Sequence, residues 1–336
     1  MTLPDAVAEA VTGVTPGFTG VAVVDGPDGR AFSLCAGLAN RAHSVPFQET
    51  TRFGVASGSK TFTAVIVLRL VERGVLSLST PVREWLGDDL PLVAPEVTLE
   101  HLLTHTSGIG DYLDEEALEP DAYIMTRPLH QYLTTEDLLP DLADHPQVSA
   151  PGSTFVYNNG GFVVAALVAE RATGSSYADL VEREVVGPAG LKETGVLRMD
   201  SLPGDVAVGY VESSGLRSNV MHMPLIATGD GGAISSVADC GRFWDALLAG
   251  ALVSAESLAL MTTPRPGAEA EGMRYGLGLW LHATGPALIM EGCDVGVSFR
   301  STRDPGSGLT ATVYSNTWDG GWDMVNALNK LFSEGN

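Results

Sequence analysis

Apolar residues crowd positions 61–70, where Phe62, Val65, Ile66, Leu68 and Leu70 leave few polar breaks. That pattern predicts a long helix buried on most of its sides, ending near Gly74. A short extended piece from Phe53 leads into it. Positions 3–12 read as an amphipathic helix. Two β-rich runs, 20–24 and 30–38, flank the turn Asp25-Gly-Pro-Asp-Gly29 and read as a hairpin. Residues 78–86 form a connector with a helix start at Pro81, and 97–108 reads as a helix stopped by Gly108. From about 110 to 230 the pattern is helical segments between polar or Pro/Gly loops, with helices at 162–173 and 177–186. A further helix spans 236–248, with Ser236 as N-cap and Asp239 in its first turn. Four β-like runs follow, at 275–281, 286–291, 296–301 and 309–315, and 324–332 is an amphipathic helix. Strands therefore occupy both ends of the chain and helices its middle.

That order implies an α+β fold in one domain, 1–336. An antiparallel sheet is built from both chain ends and flanked by the terminal helices. The sheet lobe takes approximately 1–80 and 233–336, and a mostly helical lobe, approximately 81–232, is inserted. A site belongs where the two meet.

Ser57 stands at or just before the start of the 61–70 helix, where it can cap free backbone N–H groups and where the dipole stabilises an oxyanion. Lys60 follows three residues on, one turn along the same face. This is an S-x-x-K spacing, a serine nucleophile with a lysine in reach. A buried lysine is pushed toward acting as a base, which a serine hydroxyl needs. Lys60 is one of three lysines in the chain, and its flanks are apolar. An N-cap serine beside a surface lysine is the plainer alternative. Tyr157-Asn158-Asn159 lies in a loop between Pro151-Gly152 and Gly160-Gly161. Tyr157 near an ammonium could serve as base or proton shuttle, and Asn159 could hold a substrate carbonyl or orient Lys60. A buried tyrosine with an Asx turn is the alternative there. Between two predicted strands, 291–300 could offer a backbone N–H to an oxyanion, or be a Gly-rich hairpin.

Composition narrows the partners. The formal net charge of −22 disfavours nucleic acid and anionic membranes. No apolar run reaches membrane-spanning length, and positions 1–9 lack a secretory pattern, so a cytoplasmic location is expected. Cys35, Cys240 and Cys293 show no metal-ligand spacing, nor do the seven histidines. No metal and no cofactor is called for. The oligomeric state is left open.

In order along the chain, Ser57-Gly-Ser-Lys60, Tyr157-Asn-Asn159 and the glycine-rich strand near 290–298 resemble the serine β-lactamase and penicillin-binding-protein-like superfamily. The similarity is greatest to its class C-like branch of esterases, D-aminopeptidases and DD-peptidases. Leu99-Glu-His-Leu-Leu-Thr-His-Thr-Ser-Gly108, Gly229-Asp-Gly-Gly-Ala-Ile-Ser-Ser-Val-Ala-Asp239 and Tyr275-Gly-Leu-Gly-Leu-Trp280 resemble further segments of that branch. The resemblance implies a β-lactamase/transpeptidase-like fold. It implies Ser57 as acylated nucleophile, Lys60 and Tyr157 as the acid/base pair, and Asn159 as a substrate-orienting residue. The Ser57 and Cys293 N–H groups would hold the oxyanion. Where the branch carries K-T-G or H-x-G, this chain reads Met290-Glu291-Gly292. Without that cation, and with Glu291 repelling a substrate carboxylate, a neutral ester is the expected substrate. Arg300 or Arg303 could supply charge from nearby. The expectation is thus a serine hydrolase forming an acyl-enzyme on a small ester or amide, foremost as a carboxylesterase. The alternatives are a D-amino-acid peptidase or weak β-lactamase, an acyltransferase or peptide cyclase, and a silent binding relative.

Overall fold

Residues 20–24 read Gly-Val-Ala-Val-Val without polar alternation, and such a run belongs to a strand covered on both faces. In the computed structural model, which describes residues 2–113 and 124–332, this is so. Val21 and Val23 face a core of helices, while Ala22 and Val24 face a smaller cluster on the other side. The strands of the main sheet are β1 (Gly20–Gly26), β2 (Gly29–Ala36), β3 (Arg274–Tyr275), β4 (Trp280–Leu281), β5 (Leu288–Asp294), β6 (Val297–Arg303) and β7 (Thr310–Ser315). They form one seven-stranded antiparallel sheet in the order β2-β1-β7-β6-β5-β4-β3. The N-terminal hairpin joins the later strands through β1 and β7, with Val23 opposite Thr312. The sheet is thus built from both ends of the chain.

The helices that frame it are α1 (Leu3–Val11), α2 (Ser59–Glu72), α3 (Asn159–Thr173), α4 (Val237–Leu248) and α5 (Trp322–Asn329). On one face, Val7 and Val11 of α1 meet Met324 and Leu328 of α5 over Ala22 and Val24. On the other, α2 and α3 pack together beneath the sheet, and α4 closes the layer. The buried surround of α2 explains its lack of a polar stripe: residues 59–68 are all buried.

Several elements depart from the expectation. The predicted 97–108 helix holds only over Leu99–Leu103, because His105 takes φ 55° and turns the chain out of the helix. The 177–186 helix changes pitch, with an α-helical Tyr177–Val181 followed by a π-helical Glu182–Val186. The 275–281 run is two short strands, not one. Gly278, at φ 70°, breaks it while passing so close to Ala64 of α2 that a side chain would collide. A helix at Ala255–Thr262, capped by Ser254, has no counterpart among the expected elements. No described helix is long and apolar enough to cross a membrane. The cysteines Cys35, Cys240 and Cys293 form no disulfide among the described residues.

Candidate active site

Ser57 does not cap α2. It sits in a single 3-10 turn, Ala56–Gly58, and the N-cap position of α2 is Gly58, which makes no side-chain cap. The turn is forced by Ala56, whose φ of 44° lies in the left-handed region that a side chain enters at a cost. Three contacts hold it there. Phe53 stacks on Tyr314 of β7 with ring centroids 4.3 Å apart. The Val55 N–H donates to the Ala233 carbonyl at 2.9 Å. The Ala233 N–H in turn donates to Ser59 Oγ at 3.0 Å.

Lys60 projects from the first turn of α2 and is only 3% exposed. Its Nζ lies 2.8 Å from Ser57 Oγ, 2.7 Å from Asn159 Oδ1 and 2.7 Å from the Asp230 carbonyl oxygen. Three oxygens around one nitrogen match the three donors of an ammonium. Nζ also stands 5.0 Å from the centre of the Tyr157 ring. That ring stacks on Trp280 at 6.0 Å and packs against the His105 ring at 4.5 Å. Asn159 opens α3, whose N-cap is Asn158 through its bond from the Gly161 N–H.

Strand β5 approaches from the other side. A Cβ at Gly292 would lie 2.7 Å from the Ser57 nitrogen and would strike the Val55 carbonyl, so only glycine lets β5 come this near. Cys293 follows it and lines the same cavity as Ser57. Ser57, Tyr157, Asn159, Glu291, Gly292 and Cys293 all line this cleft of about 920 Å³, with Lys60 beneath. The seven residues singled out in the sequence are therefore brought together.

Glu291 is not the bare carboxylate expected. Arg300 faces it across the β5–β6 ladder and forms an ion pair with it. Burial raises the Glu291 pKa, and the guanidinium opposes that rise. The pair carries no net charge, so simple like-charge repulsion of a substrate carboxylate does not hold. Nor does Arg300 stand as an open cation. Arg303 points elsewhere, to Asp245 at 2.9 Å.

Two supporting residues lie outside the expected set. Asp111 accepts the Asn159 N–H at 2.5 Å and the Gly160 N–H at 2.9 Å, anchoring the start of α3. Burial pushes its carboxyl up to about 6, against the pull of those N–H groups and of Lys60. The signal available was an acid directly after Gly108-Ile-Gly110. His105 falls within the expected 97–108 helix but lies beyond its observed end at Leu103. Its Nδ1 accepts the Asn158 N–H at 3.1 Å, and burial, aided by the Lys60 charge, drops its pKa well below the ordinary value, leaving a neutral ring under Tyr157.

Residues 5–332 match the family model described as Beta-lactamase. Esterase EstB of Burkholderia gladioli is 39% identical over 185 residues, covering 52% of this chain and 45% of that protein. The penicillin binding protein from Bacillus halodurans superposes with a TM-score of 0.87 at 34% identity, over 97% of this chain and 100% of that one. A D-stereospecific amidohydrolase from Streptomyces sp. gives a TM-score of 0.80 at 26% identity over the whole of both chains. The chain spans about half the length of the curated relatives it matches. With the whole sheet inside the matched region, the chain belongs to the β-lactamase family.

Proposed function

We propose that the protein is a carboxylesterase-type hydrolase working through an acyl-enzyme on Ser57. The observation that carries this is the 2.8 Å contact of Lys60 Nζ with Ser57 Oγ in the wall of an open cleft. In the reacting form Lys60 is the neutral amine: its two N–H groups are held by Asn159 and the Asp230 carbonyl, and its lone pair faces Ser57 Oγ. In the first step Ser57 Oγ bonds to the substrate carbonyl carbon, and its proton enters the Lys60–Tyr157 pair. The carbon–oxygen bond to the alcohol breaks as that proton passes to the leaving oxygen. Water then attacks the ester on Ser57 by the reverse relay. The Ser57 and Cys293 N–H groups are the oxyanion donors. Likeness to a protein named as an esterase supports the ester over the amide. Occupation of Arg300 by Glu291 supports a substrate without a carboxylate. Likeness to the D-stereospecific amidohydrolase supports D-configured amides as the second reading.

The test is a double-mutant cycle on p-nitrophenyl butyrate. Lys60→Ala and Tyr157→Phe are each expected to lower kcat/KM by about a hundredfold or more. The double variant should be little worse than the poorer single one, since residues acting as one unit are not additive. Multiplying losses would sink the assignment. Preferred turnover of D-amino-acid anilides over esters by the unaltered protein would favour the second reading.

A further inference from the structure

Ser57 opens onto two chambers of contrasting chemistry. The larger cleft sets Asp111, His145, Glu271 and Glu291 among apolar and aromatic residues such as Val148, Phe155, Tyr157 and Trp280. The smaller, about 200 Å³, is walled mainly by Leu113, Met199, Met223, Ala227, Val295 and Trp318. No lysine or arginine lies among the described residues of its wall. Two carboxylates there are already answered by protein. Asp230 accepts the Tyr112 hydroxyl at 2.5 Å and the Thr228 hydroxyl at 2.8 Å, and Asp294 accepts the Val295 N–H at 2.7 Å. Apart from the Tyr112 and His222 side chains, what remains toward the cavity is largely apolar and carries the Met199 and Met223 thioethers, a surface that moulds to flexible chains.

We propose that the two chambers divide the substrate, with an uncharged, apolar acyl chain of several carbons in the small one and the alcohol in the large one. This rests on the acyl-enzyme reading above. The leaving oxygen must reach its proton donor, and Tyr157 walls the large cleft but not the small one. Ser57, Asn159 and Cys293 border both, so the carbonyl carbon sits at their junction. The acyl chain is then directed away from Tyr157, into the apolar chamber. Each methylene buried there adds transition-state binding worth up to about fourfold in rate. A carboxylate-bearing acyl group would lose its hydration against a wall whose described residues include carboxylates but no lysine or arginine.

The test compares kcat/KM for p-nitrophenyl acetate, butyrate and hexanoate in the unaltered protein and in two variants. Met199→Trp fills the small chamber from its half-buried rim. Val156→Trp crowds the large cleft from a position 43% exposed. The unaltered protein is expected to favour hexanoate over acetate by about tenfold or more. Met199→Trp should bring that ratio near unity, and Val156→Trp should keep it. A flat chain-length series overturns the division, as does a ratio abolished by Val156→Trp and kept by Met199→Trp. A fluorophosphonate arm separates the two levels. If Ser57 is labelled while the series is flat, only the division of the substrate fails. If Ser57 is not labelled and no ester turns over, the acyl-enzyme reading itself falls.

Discussion

At the scale of single residues, the site depends on two positions where ordinary preferences are broken. Ala56 is held at φ 44°, a strain on the order of 1–3 kcal/mol, and this lifts Ser57 into the cleft. Gly292 lets β5 press on that turn. Gly292→Ala is therefore expected to displace the Ser57 backbone and spoil the oxyanion donors, lowering kcat by about a hundredfold or more. Ester kinetics checks this beside a circular dichroism spectrum that stays native. Undiminished kcat in a folded variant would remove Gly292 from the argument. The Glu291–Arg300 pair yields a second prediction. Glu291→Gln removes the carboxylate and leaves the guanidinium to seek another anion. Relative turnover of carboxylate-bearing esters against their neutral counterparts should rise several-fold at fixed ionic strength. An unchanged or lower ratio would mean that Arg300 does not reach the substrate.

At the scale of elements, α2 carries the lysine and must not shift against α3. Its far end is tied down by Glu184, whose side chain is 1% exposed. Arg69 reaches that carboxylate at 3.0 Å, Arg73 at 2.8 Å and Arg183 at 2.9 Å. Together the arginines outweigh the burial penalty and hold the Glu184 carboxyl down at about 2. A carboxyl depressed in the folded state stabilises it above the ordinary pKa of 4.5, and that contribution fades as pH falls toward about 2. Glu184→Gln should cost about 3 kcal/mol in urea denaturation near neutrality, the low end for a broken buried pair, because the arginines left behind reach solvent. The deficit should shrink on acidification through that window. A deficit that is constant with pH would show packing, not charge, at work. The clamp was hidden from the sequence because its partners lie 111 and 115 positions apart, and because Glu184 sits where the helix changes to π geometry.

At the scale of the whole molecule, a net charge of −22 sets the carboxylates against one another. Ion pairs such as Arg52–Asp205 and Arg171–Glu136 use the arginines locally, leaving the acidic excess. Raising ionic strength from about 0.01 M to about 0.15 M shortens the screening length from about 30 Å to about 8 Å. The thermal midpoint should therefore rise by several degrees in sodium chloride. A falling midpoint would mean that favourable pairs outweigh the general repulsion.

The layering was legible because it is written in local pattern. The Val21–Val24 run needs cover on both faces, and α2, apolar all round, needs burial on all sides. Ser57 and Lys60 were legible together because one helical turn joins them. Only the tertiary structure decided what Lys60 is bound to, since Asn159 and Asp230 lie 99 and 170 positions away. It also decided that Glu291 is neutralised, because that depends on which residue faces it across the β5–β6 ladder. The left-handed turn at Ala56 had no sequence signal, for alanine does not favour it. Strand β5, Phe53 and Ala233 impose it from 236, 3 and 177 positions away respectively in the case of Gly292, Phe53 and Ala233, contacts that exist only once the sheet has closed against the helices.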